Sequence, residues 1–225
     1  MHKTLTEVYC VAIELLNIDC MEYMKTLPEK AFDLAIVDPP YGIGVDGQTE
    51  TKNKKRNPKQ NRKHHEQKKW DGDIPPEWYF LELFRVSKNQ VIWGANYFVR
   101  HLREGKKGWV YWDKGQDGLT MSDGELAYTS FDKPLRRVVI NRVQLLLDGT
   151  IHQTQKPVNL YEWLLQNYAK QGDRILDTHL GSGSSAIAAH YGGFDFVGCE
   201  LDTDYYNAAS KRFEQATAQI AMFGA

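Results

Sequence analysis

The chain has 225 residues, 42% hydrophobic and 25% charged, with a net charge of −1. This composition suits one soluble globular domain with a substantial core. The start, Met1 to Glu7, has no apolar core of secretory length, and no later segment approaches a membrane span, so a cytoplasmic protein without membrane contact is expected. The three cysteines, Cys10, Cys20 and Cys199, are far apart and lack metal-ligand spacing, which argues against a disulfide framework or a zinc site.

In chain order, Val11 to Ile18 reads as a first strand, followed by Asp19-Cys20 and a short helical stretch from Met21 to Leu27. Asp19 is a good helix N-cap, and capping is one sufficient reason for it. Phe32 to Val37 has the continuous apolar character of a strand buried on both faces, and the prolines of Asp38-Pro39-Pro40-Tyr41 must end it, since neither donates a ladder hydrogen bond. The strand thus delivers four stiff residues to the carboxyl edge of a sheet, where open α/β folds bind ligands. Facing a planar amine, the Asp38 carboxylate and the Pro39 carbonyl could accept two N–H bonds, and Tyr41 offers a ring for stacking. The plainer alternative is a proline turn with Asp38 and Tyr41 merely hydrogen-bonded.

A stretch at about 47–72 lacks apolar periodicity. Between Lys52 and Lys69 it carries nine positive residues (Lys52, Lys54, Lys55, Arg56, Lys59, Arg62, Lys63, Lys68, Lys69) against Glu66 alone, a local balance of +8 that leaves −9 for the remainder. A basic segment on an acidic body is an electrostatic footprint for phosphates; a solvated charged loop is the alternative.

Glu77 to Val86 reads as an amphipathic helix, and Gln90–Gly94, Trp109–Trp112 and Glu125–Phe131 as strands, the last alternating as an antiparallel strand does. Tyr97, Phe98 and Trp112 fall at strand ends, where one of them could line a base pocket, though core packing is the ordinary role of such residues. Pro157 suits the first turn of a helix that carries Leu160, Trp163 and Leu164 and ends before Gly172. Arg174–Asp177 is a short strand. Thr178 to Ser185 then turns into a helix over Ala186–Tyr191, and Phe194–Glu200 is the next strand, with a last helix reaching about Ala218. In this strand–glycine turn–helix–strand–acid unit, Gly181 and Gly183 admit a close ligand and Glu200 can accept both ribose hydroxyls. Alone, the unit cannot separate NAD from S-adenosylmethionine.

Three motifs in one chain, Asp38-Pro39-Pro40-Tyr41, then Thr154-Gln155-Lys156-Pro157, then Asp177 to Gly183 with Glu200, resemble the β-group amino-methyltransferases of DNA, of the kind found in prophages and restriction–modification systems. The resemblance runs from about Val11 to the last helix. It implies a Rossmann-like α/β methyltransferase fold, circularly permuted, with a mostly parallel seven-stranded sheet covered by helices on both faces. It implies a single domain over 1–225, with the basic loop and a short target-recognition insertion at about 115–150. By the same resemblance the catalytic residues are Asp38, Pro39, Pro40 and Tyr41, and S-adenosylmethionine is contacted by Asp19, Cys20, His152, Thr154, Lys156, Asp177, Gly181, Ser182, Gly183, Glu200 and Leu201. The family commonly has Pro-Phe where Thr178-His179 stand, so no phenylalanine contact carries over.

The expected reaction is site-specific methylation of adenine N6 in double-stranded DNA, with no metal, by a monomer or homodimer. Lys52, Lys54, Lys55, Arg56, Lys59, Arg62, Lys63, Arg136 and Arg137 are the expected DNA contacts. Cytosine N4, an adenine in RNA and, more remotely, an NAD-dependent oxidoreductase remain as alternatives; the last leaves two of the three motifs unexplained.

Overall fold

The computed structural model describes residues 11–45, 68, 71–102, 107–116, 122–141 and 150–221. Its described residues build one eight-stranded sheet from β1 (Ile13–Asn17), β2 (Phe32–Val37), β3 (Ser87–Trp93), β4 (Trp109–Asp113), β5 (Gly124–Thr129), β6 (Arg136–Val139), β7 (Arg174–Asp177) and β8 (Asp195–Glu200). The order across the sheet is β1-β8-β7-β2-β3-β5-β4-β6. Neighbours pair in parallel except where β5 lies between β3 and β4, antiparallel to both.

The expected α/β architecture is present, with one strand more than the expected seven. The extra strand is β6, in which only Val138 of Arg136-Arg137-Val138-Val139 is buried. Four residues with one inward side chain leave no periodic signal, so pairing with β4 creates this strand. The segment at 115–150 thus contributes both β5 and β6 to the central sheet.

Alternation along the buried strands divides the core. Leu34 and Ile36 of β2 face α3 (Val158–Tyr168), α4 (Ser184–Gly192) and α5 (Thr203–Ala221), while Ala35 and Val37 face α1 (Cys20–Lys25) and α2 (Glu77–Val86). Helix α2 buries Tyr79, Phe80, Leu83, Phe84 and Val86, the stripe that its sequence spacing implies, and runs directly into β3 at Ser87.

The crossover from β7 through α4 leads to β8 on one side, and that from β2 through α2 leads to β3 on the other. Strands β2 and β7 are neighbours, with Leu34 opposite Ile175 and Ala35 opposite Leu176. Their carboxyl ends therefore flank the point where the winding reverses, the crevice that open α/β sheets use for ligands. The half carrying Asp38 precedes the half carrying the glycine turn, which is the permuted order.

Candidate active site

The turn after β7 is built around Asp177, which is 1% exposed. Its Oδ1 accepts the His179 N–H at 3.0 Å and its Oδ2 the Ser185 hydroxyl at 2.6 Å, while burial pushes its carboxyl up to about 7. Gly183 caps α4 at φ +74°, a left-handed backbone conformation that favours glycine, while a Cβ there would make only ordinary contact with Ala209 at 3.4 Å. At the tip of β8, Glu200 Oε2 accepts the Gly181 N–H at 2.9 Å and Oε1 the Asp202 N–H at 3.0 Å. Two backbone amides orient this carboxylate while leaving each oxygen a further lone pair.

These residues open onto a cavity of about 660 Å³, within the usual range for small-molecule sites. Of the expected cofactor residues, Asp19, Cys20, His152, Thr154, Lys156, Gly181, Ser182, Glu200 and Leu201 line it; Asp177 and Gly183 stand behind the wall and shape the turn. Asp19 also caps α1, accepting the Met21 N–H at 2.7 Å, so its two possible roles coexist. Burial pushes the Cys20 thiol up to about 12, which keeps it protonated. His179 lines the cavity too, packs edge-on against Tyr79 at 5.4 Å, and is pushed by burial down to about 4, hence neutral.

The tetrapeptide Asp38–Tyr41 sits at the end of β2 beside this cavity. Asp71, buried and 30 residues on, accepts the N–H groups of Tyr41 and Gly42 with Oδ1, both at 2.8 Å, and that of Val45 with Oδ2 at 2.9 Å. The Tyr41 ring lies over Gly94, where a Cβ would fall 2.1 Å from a ring carbon; no other residue fits there. Its other contacts are a face-to-face stack on Tyr97 at 5.1 Å and an edge contact with Phe98.

Lys156 joins this group. Its ammonium is 2.5 Å from Asp38 Oδ2, 2.9 Å from Glu125 Oε2 and 3.2 Å from the Tyr41 hydroxyl, which accounts for its three protons. It also lies 5.7 Å from the Tyr41 ring centroid and 5.3 Å from that of Trp93. Tyr41 donates to Asp38 Oδ1 at 2.6 Å, and Lys114 reaches Glu125 Oε1 at 2.6 Å. Burial and the Glu125 charge push the Asp38 carboxyl up, against the pull of Lys156. For Glu125 burial raises the carboxyl, but Lys156 and Lys114 together prevail and hold it at about 2. Burial lowers Lys156, yet Asp38 and Glu125 outweigh that and raise it, so it stays charged.

A second cavity, of about 640 Å³, opens on the other side of this network, lined by Tyr41, Tyr97, Trp112, Lys114 and Glu125 among others. The two cavities share Thr154, Gln155 and Lys156 as a wall. Tyr97 and Trp112 thus face a cavity, whereas Phe98 is plain core. Glu125, Lys114, Asp71 and Gly94 had no functional signal in the sequence: a carboxylate within an alternating strand looks like any other.

The expected DNA contacts Lys52, Lys54, Lys55, Arg56, Lys59, Arg62 and Lys63 lie outside the described residues. Lys68 is folded onto Asp202 and Asp204, at 2.7 Å from each, where it borders the first cavity. Arg136 and Arg137 are exposed on β6, with Arg137 engaged by Asp113 at 2.5 Å. Among the described residues no helix is long and apolar enough to cross a membrane.

The sequence profile of the N6/N4 DNA methylase family matches residues 48–211. The chain belongs to this family. The match begins beyond Asp38–Tyr41 and does not include those four residues. The methylase is 27% identical to YubD of Escherichia coli (strain K12) over 228 residues, covering 91% of this chain and 90% of YubD. Its fold is similar to that of the M1.HpyAVI–SAM complex (TM-score 0.57, 19% identity, 89% of this chain and 99% of that one). It is equally similar to PvuII DNA methyltransferase, which is cytosine-N4-specific (TM-score 0.57, 12% identity, 92% and 90%). Membership removes the nicotinamide alternative.

Proposed function

We propose that this DNA methylase transfers a methyl group from S-adenosylmethionine to N6 of adenine in double-stranded DNA. The observation that carries the reading is the junction of two cavities at Asp38, Tyr41 and Lys156. The first cavity ends on a carboxylate already oriented by two backbone amides, which suits a ribose diol. Leu201 and Tyr205 on its wall suit an adenine ring. When bound, S-adenosylmethionine supplies a methyl carbon on a sulfonium, which departs with the C–S electron pair.

The basic segment at 52–69 and the arginines of β6 supply positive charge for backbone phosphates. Flipping the target base out of the helix costs a few kcal/mol. The exposed ring of Tyr97, itself stacked on Tyr41, offers the base an aromatic face, which returns about 1–3 kcal/mol. Asp38 and the Pro39 carbonyl accept the two N6–H bonds and turn the nitrogen toward the methyl carbon. As N6 forms its new bond it loses one proton, and Asp38, with its carboxyl raised by burial, is placed to accept it.

Tyrosine after the two prolines favours adenine through the family resemblance. Cytosine N4 is the second reading, favoured by the equal similarity to the PvuII enzyme.

The test is transfer from labelled S-adenosylmethionine to unmethylated duplex DNA, followed by digestion and identification of the nucleoside. N6-methyladenine is expected, with the signal lost in Asp38→Ala while cofactor binding persists. N4-methylcytosine would replace the base assignment, and label entering RNA alone would overturn the DNA reading.

A further inference from the structure

Glu125 stands out because the tetrapeptide, the Thr-Gln-Lys-Pro segment and the glycine turn do not include it. It comes from β5, which runs antiparallel to its neighbours β3 and β4, and is paired there with Trp112 of β4. Its carboxylate is nonetheless drawn into the catalytic group, 2.9 Å from Lys156 and 3.3 Å from the Tyr41 hydroxyl, and is braced from outside by Lys114. The result is a part-buried chain of alternating charge, Lys114–Glu125–Lys156–Asp38, crossing the wall between the two cavities.

We infer that Glu125 is a positioning residue for methyl transfer, acting through Lys156 on Asp38. This rests on the reading of Asp38 as the acceptor for the target amine. An ammonium pressed against a lone buried carboxylate neutralises it and occupies its lone pairs, which makes it a poor acceptor. Glu125 divides the ammonium between two carboxylates, so Asp38 keeps anionic charge for the incoming N–H. It also fixes the third direction of Lys156, since the ammonium is held by Asp38, Tyr41 and Glu125 together. Lys114, on β4's carboxyl end, holds Glu125 in turn and compensates the second negative charge.

The charged and titratable groups facing Asp38 are Lys156, Glu125, Tyr41, Tyr161 of α3 and Asp177 after β7. Replacing Glu125 by glutamine removes one like charge near Asp38 and leaves Lys156 in place. The Asp38 carboxyl must then titrate at lower pH.

The experiment compares wild type, Glu125→Gln and Glu125→Asp by kcat and KM against pH, and by carbon-13 NMR titration of labelled aspartate carboxyls, with Asp38→Asn assigning the signal. Glu125→Gln is expected to lower kcat about 10²-fold, the cost of a misplaced catalytic group, with KM for S-adenosylmethionine and DNA within about twofold of wild type. The acid limb of kcat and the Asp38 titration both move to lower pH, and Glu125→Asp recovers part of the rate. An unmoved Asp38 titration overturns the inference whatever the activity. So does an unchanged kcat, or a loss of rate that Glu125→Asp does not relieve. A wild-type protein that binds S-adenosylmethionine yet methylates no base fails the proposed function instead, and the titration still decides whether Glu125 acts on Asp38.

Discussion

The Oδ1 of Asp71 accepts the backbone N–H of Tyr41 at 2.8 Å across 30 residues of sequence. The residues between them in sequence include the whole basic segment from Lys52 to Lys69, and Asp71, just past it, is bonded to the backbone of the Asp38–Tyr41 tetrapeptide. One buried carboxylate therefore fixes the backbone from which Tyr41 points.

Asp71→Ala strands three N–H groups, those of Tyr41, Gly42 and Val45. Hydrogen bonds to a charged group contribute about 1.5–3 kcal/mol each, and relaxation toward solvent recovers part of the loss, so a destabilisation of about 3 kcal/mol is expected in urea unfolding. Affinity for S-adenosylmethionine should stay near the wild-type value, because Asp71 does not border that cavity. Equal loss of stability and cofactor affinity would show that Asp71 supports the whole sheet edge.

Lys156→Met removes the cation shared by Asp38 and Glu125. Two part-buried carboxylates, 14% and 22% exposed, are then left beside each other with Lys114 on the far side of Glu125, and about 3–5 kcal/mol, the cost of breaking a fully buried pair, is the upper bound of the loss. Unfolding at pH 8 should show that loss, and it should shrink on acidification as Asp38 takes up a proton. A loss independent of pH would mean that packing against Tyr41 and Trp93 is what matters about Lys156.

Asp177 and His179 oppose each other in their effect of pH on stability. Burial holds the Asp177 carboxyl at about 7, so between its unfolded value of 3.8 and pH 7 the folded state carries a proton that the unfolded chain has released. Its contribution falls as pH rises through that window. His179 is held at about 4 against 6.5 unfolded, so there the unfolded chain carries the extra proton and the contribution rises with pH. Each slope approaches about 1.4 kcal/mol per pH unit, and the two largely cancel. His179→Phe deletes the rising one. Its stability relative to wild type should be highest near pH 4 and fall toward pH 6.5, read as the difference between paired unfolding curves; parallel curves would overturn this.

What the sequence determined by itself was everything held in local pattern. The run Phe32–Val37 and its proline stop marked a strand buried on both faces, the spacing of Tyr79, Phe80, Leu83 and Phe84 marked a helix stripe, and Asp177 to Glu200 marked a strand, turn, helix and acid. Such signals are legible because burial and turn chemistry act between residues a few positions apart. The tertiary structure alone decided the partners of the Asp38 carboxylate. Lys156 lies 118 residues from Asp38, and Glu125 lies 84 from Tyr41; Glu125 arrives on β5, which inserts antiparallel between β3 and β4, and Lys156 from the segment just before α3. It also decided the strand β6, the space that Gly94 leaves for Tyr41, and the bond from Asp71. Charge attraction and steric exclusion depend on distance in space, and a sequence records separation along the chain.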